Sequence, residues 1–169
     1  MPSNLAALVR RGIRTGFRPA WLREVRTINE ALRPEVRELA SAQWGCPVTD
    51  TYSAREVGYI ALQCPASLNY HAQSESLMVE VLDAEGRACR PGETGRVVVT
   101  TLHNFATPFI RYALGDRAEV GGECACGRGL QALKRILGRE RNMLTLPDGS
   151  RHFPAFSSVV GVRVGKGIE

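Results

Sequence analysis

Apolar residues recur at helical spacing at the start of the chain. Leu5, Leu8, Val9 and Ile13 fall on one stripe, which predicts an amphipathic helix over residues 4–16 with Ser3 as its cap and Gly16 as its stop. A turn through Pro19 leads to a short strand at 24–29. Pro34 then opens a second helix, with Val36, Leu39, Ala40 and Trp44 as its apolar side and Gly45 as its end. A strand is expected at 47–51. The order helix, strand, helix, strand is that of an α/β layer built on a parallel sheet.

Beyond Ser53 the pattern changes to short apolar runs between Gly and Pro turns. Strands are expected at 57–62, 77–82, 96–101, 109–112, 117–120 and 130–137, with turns at 83–86, 91–95 and 147–150. Such a series suggests a small β-barrel-like or sandwich-like lobe. The tail at 161–167 has no evident packing partner. The fold class expected is therefore α/β (α+β), a partial parallel α/β layer followed by a small β-barrel-like lobe.

Length allows one ordinary domain or two small lobes: the chain has 169 residues, 44% hydrophobic and 23% charged. No stretch supplies the ~20 consecutive apolar residues of a membrane span. Five cysteines, an odd number without a secretory signal, point to a reducing compartment, and the cytoplasm is the expected location. The net charge is +5 and is concentrated early, where residues 1–40 hold eight Arg against four Glu. A solvated basic helix face accounts for this; nucleic acid is not the expected partner, because neither aromatic interleaving nor a nucleic-acid motif accompanies it.

Four features can carry chemistry. Tyr52-Ser53-Ala54-Arg55-Glu56 ends an expected strand, the usual ligand side of an open α/β sheet. A Tyr there can stack on a base and the carboxylate can hold Mg²⁺, or the pair can be a core-closing ring and a surface Glu. In Arg111-Tyr112-Ala113-Leu114-Gly115-Asp116, Gly115 permits close backbone approach and Asp116 can accept two ribose hydroxyls, or the pair is a simple turn. In Gly138-Arg139-Glu140-Arg141 a guanidinium can meet phosphate, or the segment is an exposed loop. The fourth is Cys64, His71, Cys124 and Cys126, a Cys₃His composition suited to structural zinc. The thiols can equally be small buried hydrophobes, the reading for Cys46 and Cys89.

Taken in order, these pieces resemble the adenylate-forming ligase superfamily, most closely its phenylacetate–CoA ligase and CapK-like branch. The segment 52–58 is similar to the family's tyrosine–glutamate motif. Thr100-Thr101-Leu102, Pro108-Phe109-Ile110-Arg111-Tyr112 and Leu114-Gly115-Asp116 are similar to its TTL…PLIRY…TGD signature. Cys124-Ala125-Cys126-Gly127-Arg128 resembles CPCGR, and Ile136-Leu137-Gly138-Arg139 resembles ILGR. The resemblance implies carboxylate activation with ATP to an acyl-adenylate, then transfer to the thiol of CoA. It implies that Tyr52 stacks on adenine, Glu56 binds Mg²⁺, Asp116 holds the ribose hydroxyls and Arg139 reaches ribose or α-phosphate. Residues 1–56 would then be a partial nucleotide lobe, 57–138 a β-barrel-like subdomain, and 139–169 a hinge remnant and tail.

The departures are informative. Arg55 stands where the motif has Ser or Thr, Leu114 replaces the Thr of TGD, and Arg141 and Asn142 occupy the hinge-carboxylate positions. No counterpart of the family's Ser/Thr/Gly-rich phosphate loop or of its lysine-bearing C-terminal domain is expected within these residues. Lys166, in a Gly-Lys-Gly context, is expected to be a tail residue. The expectation is a ligase fragment with little turnover alone, without a catalytic residue of its own. Its partners would be a carboxylate, a nucleotide and either a second copy or missing polypeptide pieces. The alternative is a zinc-stabilised module that binds nucleotide or a partner without catalysis.

Overall fold

The computed structural model describes residues 1–147 and 151–152. Two helices, α1 (Pro2–Thr15) and α2 (Pro34–Trp44), flank β1 (Val25–Ile28) and precede β2 (Val48–Ala54). Then come β3 (Gly58–Gln63), β4 (Tyr70–Ala72), β5 (Leu77–Leu82), β6 (Thr94–Thr101), β7 (Tyr112–Val120) and β8 (Ala132–Arg139). A 3₁₀ turn at Glu140–Asn142 and the short pair β9 (Leu144–Thr145) and β10 (Arg151–His152) follow. The first eight strands form one sheet in the order β1-β2-β3-β4-β8-β7-β6-β5. Only β1 and β2 pair in parallel, Val25 opposite Val48 and Ile28 opposite Thr51; the rest of that sheet is antiparallel. The mixed α/β class expected from the sequence is thus the one found.

Two apolar cores sit on this sheet. The smaller joins Leu5 and Val9 of α1 to Ala40 of α2 and Val48 of β2. The larger draws residues from every strand between β2 and β8, including Tyr52, Ile60, Tyr70, Val79, Val99, Leu114 and Leu133. β2 and β5 are six places apart in the sheet yet share that core, so the sheet curls over it in the manner of a barrel. β2 and β3 are hydrogen-bonded neighbours, with Ala54 opposite Gly58, so the sheet runs unbroken across the 56/57 boundary.

Several local expectations need correction. The apolar stripe of α1 is split: Leu5 and Val9 are buried, while Leu8 and Ile13 are exposed. The helix turns its Leu5–Val9–Gly12 face to α2 because Gly12 permits close approach. A Cβ there would lie 3.1 Å from the Phe17 carbonyl and 3.4 Å from the Trp44 indole nitrogen. Ser3 does not cap α1, which begins at Pro2. Its N–H and hydroxyl both donate to the Glu30 carboxylate, at 2.9 and 3.0 Å. The runs at 109–112 and 117–120 are not two strands. β7 is continuous over Tyr112–Val120, and Phe109–Arg111 is held off the ladder by Thr100 and Thr101 side chains. β4, unforeseen in the sequence, is short and carries the polar His71 between apolar neighbours. Gly16 and Gly45 do end the helices, at φ 69° and 66°, the left-handed region that favours glycine. The turn at 147–150 falls largely outside the described residues, as do the tail and Lys166.

Candidate nucleotide and metal sites

β2 delivers Tyr52 near its C-terminal end. The ring is 7% exposed, and its hydroxyl donates to Asp116 Oδ2 at 2.8 Å. Asp116 lies on β7, after Gly115 at φ 74°. Arg139 closes β8 directly opposite Asp116 in the register, with Nε 3.4 Å from Oδ1. Three strands separate β2 from β7 in the sheet, so the Tyr52–Asp116 bond exists only because the sheet curls. Glu56 and Arg55 are exposed in the turn after β2.

Burial raises the Asp116 pKa above the ordinary aspartate value. The Tyr52 hydroxyl and the charges of Arg139 and Arg141 pull it down, and the nearby Glu56 charge pushes it up again. Tyr52 is also raised, by burial first and then by the Asp116 charge beside it. Tyr52, Asp116 and Arg139 are thus in direct contact, and the Glu56 and Arg141 charges act on the same carboxylate. That set can hold vicinal hydroxyls, a phosphate and a divalent cation. Arg141, which the sequence offered within Gly138-Arg139-Glu140-Arg141 and as a hinge departure, acts electrostatically on the same carboxylate.

The raised Asp116 carries a pH signature. A carboxyl whose folded pKa exceeds its unfolded value binds a proton in the folded chain first, so its contribution to stability rises on acidification through that window and is lost as pH climbs. Urea unfolding at stepped pH should show the wild type gaining on Asp116→Asn as pH falls from neutral toward the ordinary carboxylate range. A pH-independent difference would contradict it.

A second polar cluster was not legible in the sequence. Asp50 of β2 is buried and accepts hydrogen bonds from the hydroxyls of Thr27 and Tyr70, the latter at 2.9 Å. An Asp on the Val48–Tyr52 face of a buried strand was the available signal. It ties β1, β2 and β4 together, and the Arg37 charge acts on it.

Cys64, His71, Cys124 and Cys126 converge, their potential ligand atoms all within 4.8 Å of one another. Cys64 ends the β3 side of the hairpin to β4, His71 is in β4, and the other two come from the β7–β8 loop. The Sγ atoms of Cys64 and Cys124 are 3.9 Å apart, and Cys126 Sγ lies 3.3 Å from His71 Nε2. Tetrahedral zinc at ~2.3 Å from sulfur requires sulfur separations of about 3.8 Å, so the donors stand near ligating distance. His71 is 2% exposed and its Nδ1 has no partner among the described residues. Burial pushes the Cys64 thiol up, but the Ala66 N–H, His71 and Ser67 outweigh it and hold it at about 6. The Ser67 hydroxyl likewise lowers Cys124. Cys46, by contrast, is a buried thiol raised by its surroundings, and Cys89 packs against the larger core.

No family model matches the chain. A phenylacetate–coenzyme A ligase of Thermus thermophilus is 36% identical over 78 residues, which are 45% of this chain and 18% of that protein. A 2-hydroxyisobutyryl-CoA ligase, solved in the postadenylation state with an acyl-AMP, superimposes on 91% of this chain with a TM-score of 0.80 at 24% identity. The chain shares the fold of about a third of that acyl-CoA ligase. An anthranilate CoA ligase, solved with anthranoyl-AMP, superimposes on 90% with a TM-score of 0.64 at 19% identity. The chain spans about a fifth of the curated ligase and 34% of the 2-hydroxyisobutyryl-CoA ligase. Among the described residues no helix is long and apolar enough to cross a membrane.

Proposed function

We propose that this chain provides the adenosine-facing part of an ATP-dependent acyl-CoA ligase and has little or no ligase activity by itself. The observation that carries the reading is the meeting of Tyr52, Asp116 and Arg139 across a curled sheet, within a fold shared with ligases solved on acyl-adenylates. In this reading Asp116 accepts the ribose hydroxyls, and Arg139 steers the sugar or α-phosphate. Glu56 supplies an oxygen to Mg²⁺, which would neutralise charge as a carboxylate attacks the α-phosphate. Tyr52, with its ring mostly buried, holds Asp116 through its hydroxyl and stands beside the adenine. CoA and the carboxylate belong to this reading only through the family; no residue here is assigned to either.

Turnover is expected to fail for a geometric reason. An open site leaves water around the reacting phosphate, where fixed charges are worth far less than in a closed one. The test is pyrophosphate release from ATP with a panel of carboxylates and CoA. The chain alone should stay at the no-enzyme rate, while still binding Mg·ATP. Sustained turnover by the isolated chain would contradict the inactivity; absence of nucleotide binding would contradict the site.

A second reading concerns the Cys₃His cluster. Four donors from two separate segments stand at near-tetrahedral spacing around a buried His, which supports a zinc-stabilised module. The two readings are compatible: zinc would pin the β3–β4 hairpin to the β7–β8 loop, and so fix the strand carrying Asp116.

A further inference from the structure

A groove of about 780 Å³ lies along α1 and the segment that follows it, away from both sites above. Leu8, Phe17, Trp21 and Trp44 form much of its wall, with Arg11 and Arg26 beside them. Trp21 is 75% exposed, Phe17 59% and Leu8 58%. Large side chains in that number on one concave face are unusual for a surface that meets only water. Part of the groove is polar but unsatisfied, for the Trp44 indole N–H is buried without an acceptor among the described residues.

Arg11 and Arg26 are the charged side chains that line it, and further arginines belong to α1 and the segment after it. Arg10, Arg11, Arg14, Arg18 and Arg23 have no carboxylate partner among the described residues, while Arg26 is paired with Glu24 at 3.0 Å. No carboxylate lines the groove. A second copy of the chain would bring the same cations against these, at a Coulombic cost. A bilayer presents a flat or convex face and would leave a concavity unfilled.

We propose that the α1 groove is a docking site for an acidic, amphipathic polypeptide segment, whose apolar side chains fill the Leu8–Phe17–Trp21 wall and whose carboxylates pair with Arg11 and its neighbours. The mode is helix-in-groove recognition with anchors one or two turns apart. It is independent of nucleotide binding.

The chain's two tryptophans both line this groove, so intrinsic fluorescence reports on it directly. The probe is a synthetic helix of about 16 residues, ~24 Å long, with Leu on one stripe and Glu on its flanks. Titration into the full chain should give a saturable blue shift that weakens as salt rises. Leu8→Glu and Arg11→Glu, both at exposed positions, should each weaken binding about tenfold. Arg87→Ala, on a remote hairpin, should leave it unchanged, and circular dichroism verifies that each variant is folded. Equal binding of a Lys-flanked version, or no binding of the acidic one, overturns the proposal. So does a blue shift with phosphatidylserine vesicles but not with the peptide, which makes the face a membrane surface. A concentration-dependent shift without any peptide, abolished by Leu8→Glu, assigns it to a second copy instead and also overturns the proposal.

Discussion

Chain purified with zinc and then stripped by a strong chelator should lose about 8–16 °C in Tm. A ligand that binds only the folded state stabilises it by about 4 kcal/mol at a thousandfold excess over Kd, and in a chain of this size each kcal/mol moves Tm by about 2–4 °C. The loss falls on the β3–β4 hairpin and the β7–β8 loop. These segments touch through Cys64, His71, Cys124 and Cys126, and without metal they set three thiols and an imidazole against one another. Metal analysis should find one zinc per chain, and Cys126→Ser should abolish it together with the chelator effect. Cys46→Ser is the control: Cys46 is buried but is not one of the four donors, so stability should fall while zinc stays at one per chain. A wild-type chain that purifies free of transition metals, and melts at the same temperature with and without chelator, would remove the zinc reading.

The second large effect is expected at Asp116. In Asp116→Ala the Tyr52 hydroxyl loses its acceptor while staying buried, which costs about 1–3 kcal/mol of stability. The Arg139 guanidinium also loses its partner across the β7–β8 register. Loss of a charged acceptor worth about 1.5–3 kcal/mol per hydrogen bond should weaken Mg·ATP binding by about 10–100-fold. Tyr52→Phe separates the two consequences. It removes the same internal bond but keeps the carboxylate, so the melting temperature should fall while nucleotide affinity changes by less than in Asp116→Ala. Calorimetric titration of the three proteins at a temperature where all are folded distinguishes them. If Asp116→Ala binds Mg·ATP as well as wild type does, Asp116 has no part in nucleotide recognition.

Which features could be read in the sequence follows from how local their causes are. Helix ends were legible at Gly16 and Gly45, where a single left-handed residue decides the matter. The strand at 77–82 was legible because a short run, apolar at every position but Glu80, ends in the turn residues 83–86. α1's buried face was not, since which of Leu5, Leu8, Val9 and Ile13 turns inward depends on where α2 packs, and that is set by the absence of a side chain at Gly12. β4 escaped notice because Tyr70-His71-Ala72 shows no alternation of its own; its His is buried by a cluster assembled from residues up to 55 positions away in sequence. The candidate nucleotide residues were found by ordered motifs. Their geometry, with Tyr52 engaged on Asp116 and its ring turned largely into the core, depended on a sheet curl that no single strand specifies. Asp50 was passed over for the same reason: its partners Thr27 and Tyr70 lie on strands on either side of β2 and β3.

In the proposed function Tyr52, Glu56, Asp116 and Arg139 serve one nucleotide. Photolabelling with an azido-adenine ATP, followed by peptide mapping, tests it most directly. Label should concentrate in the peptides that contain residues 52–56 and 112–117, and unmodified Mg·ATP should compete it away. Label spread over the surface, or confined to peptides from other regions and indifferent to competitor, would contradict the claim.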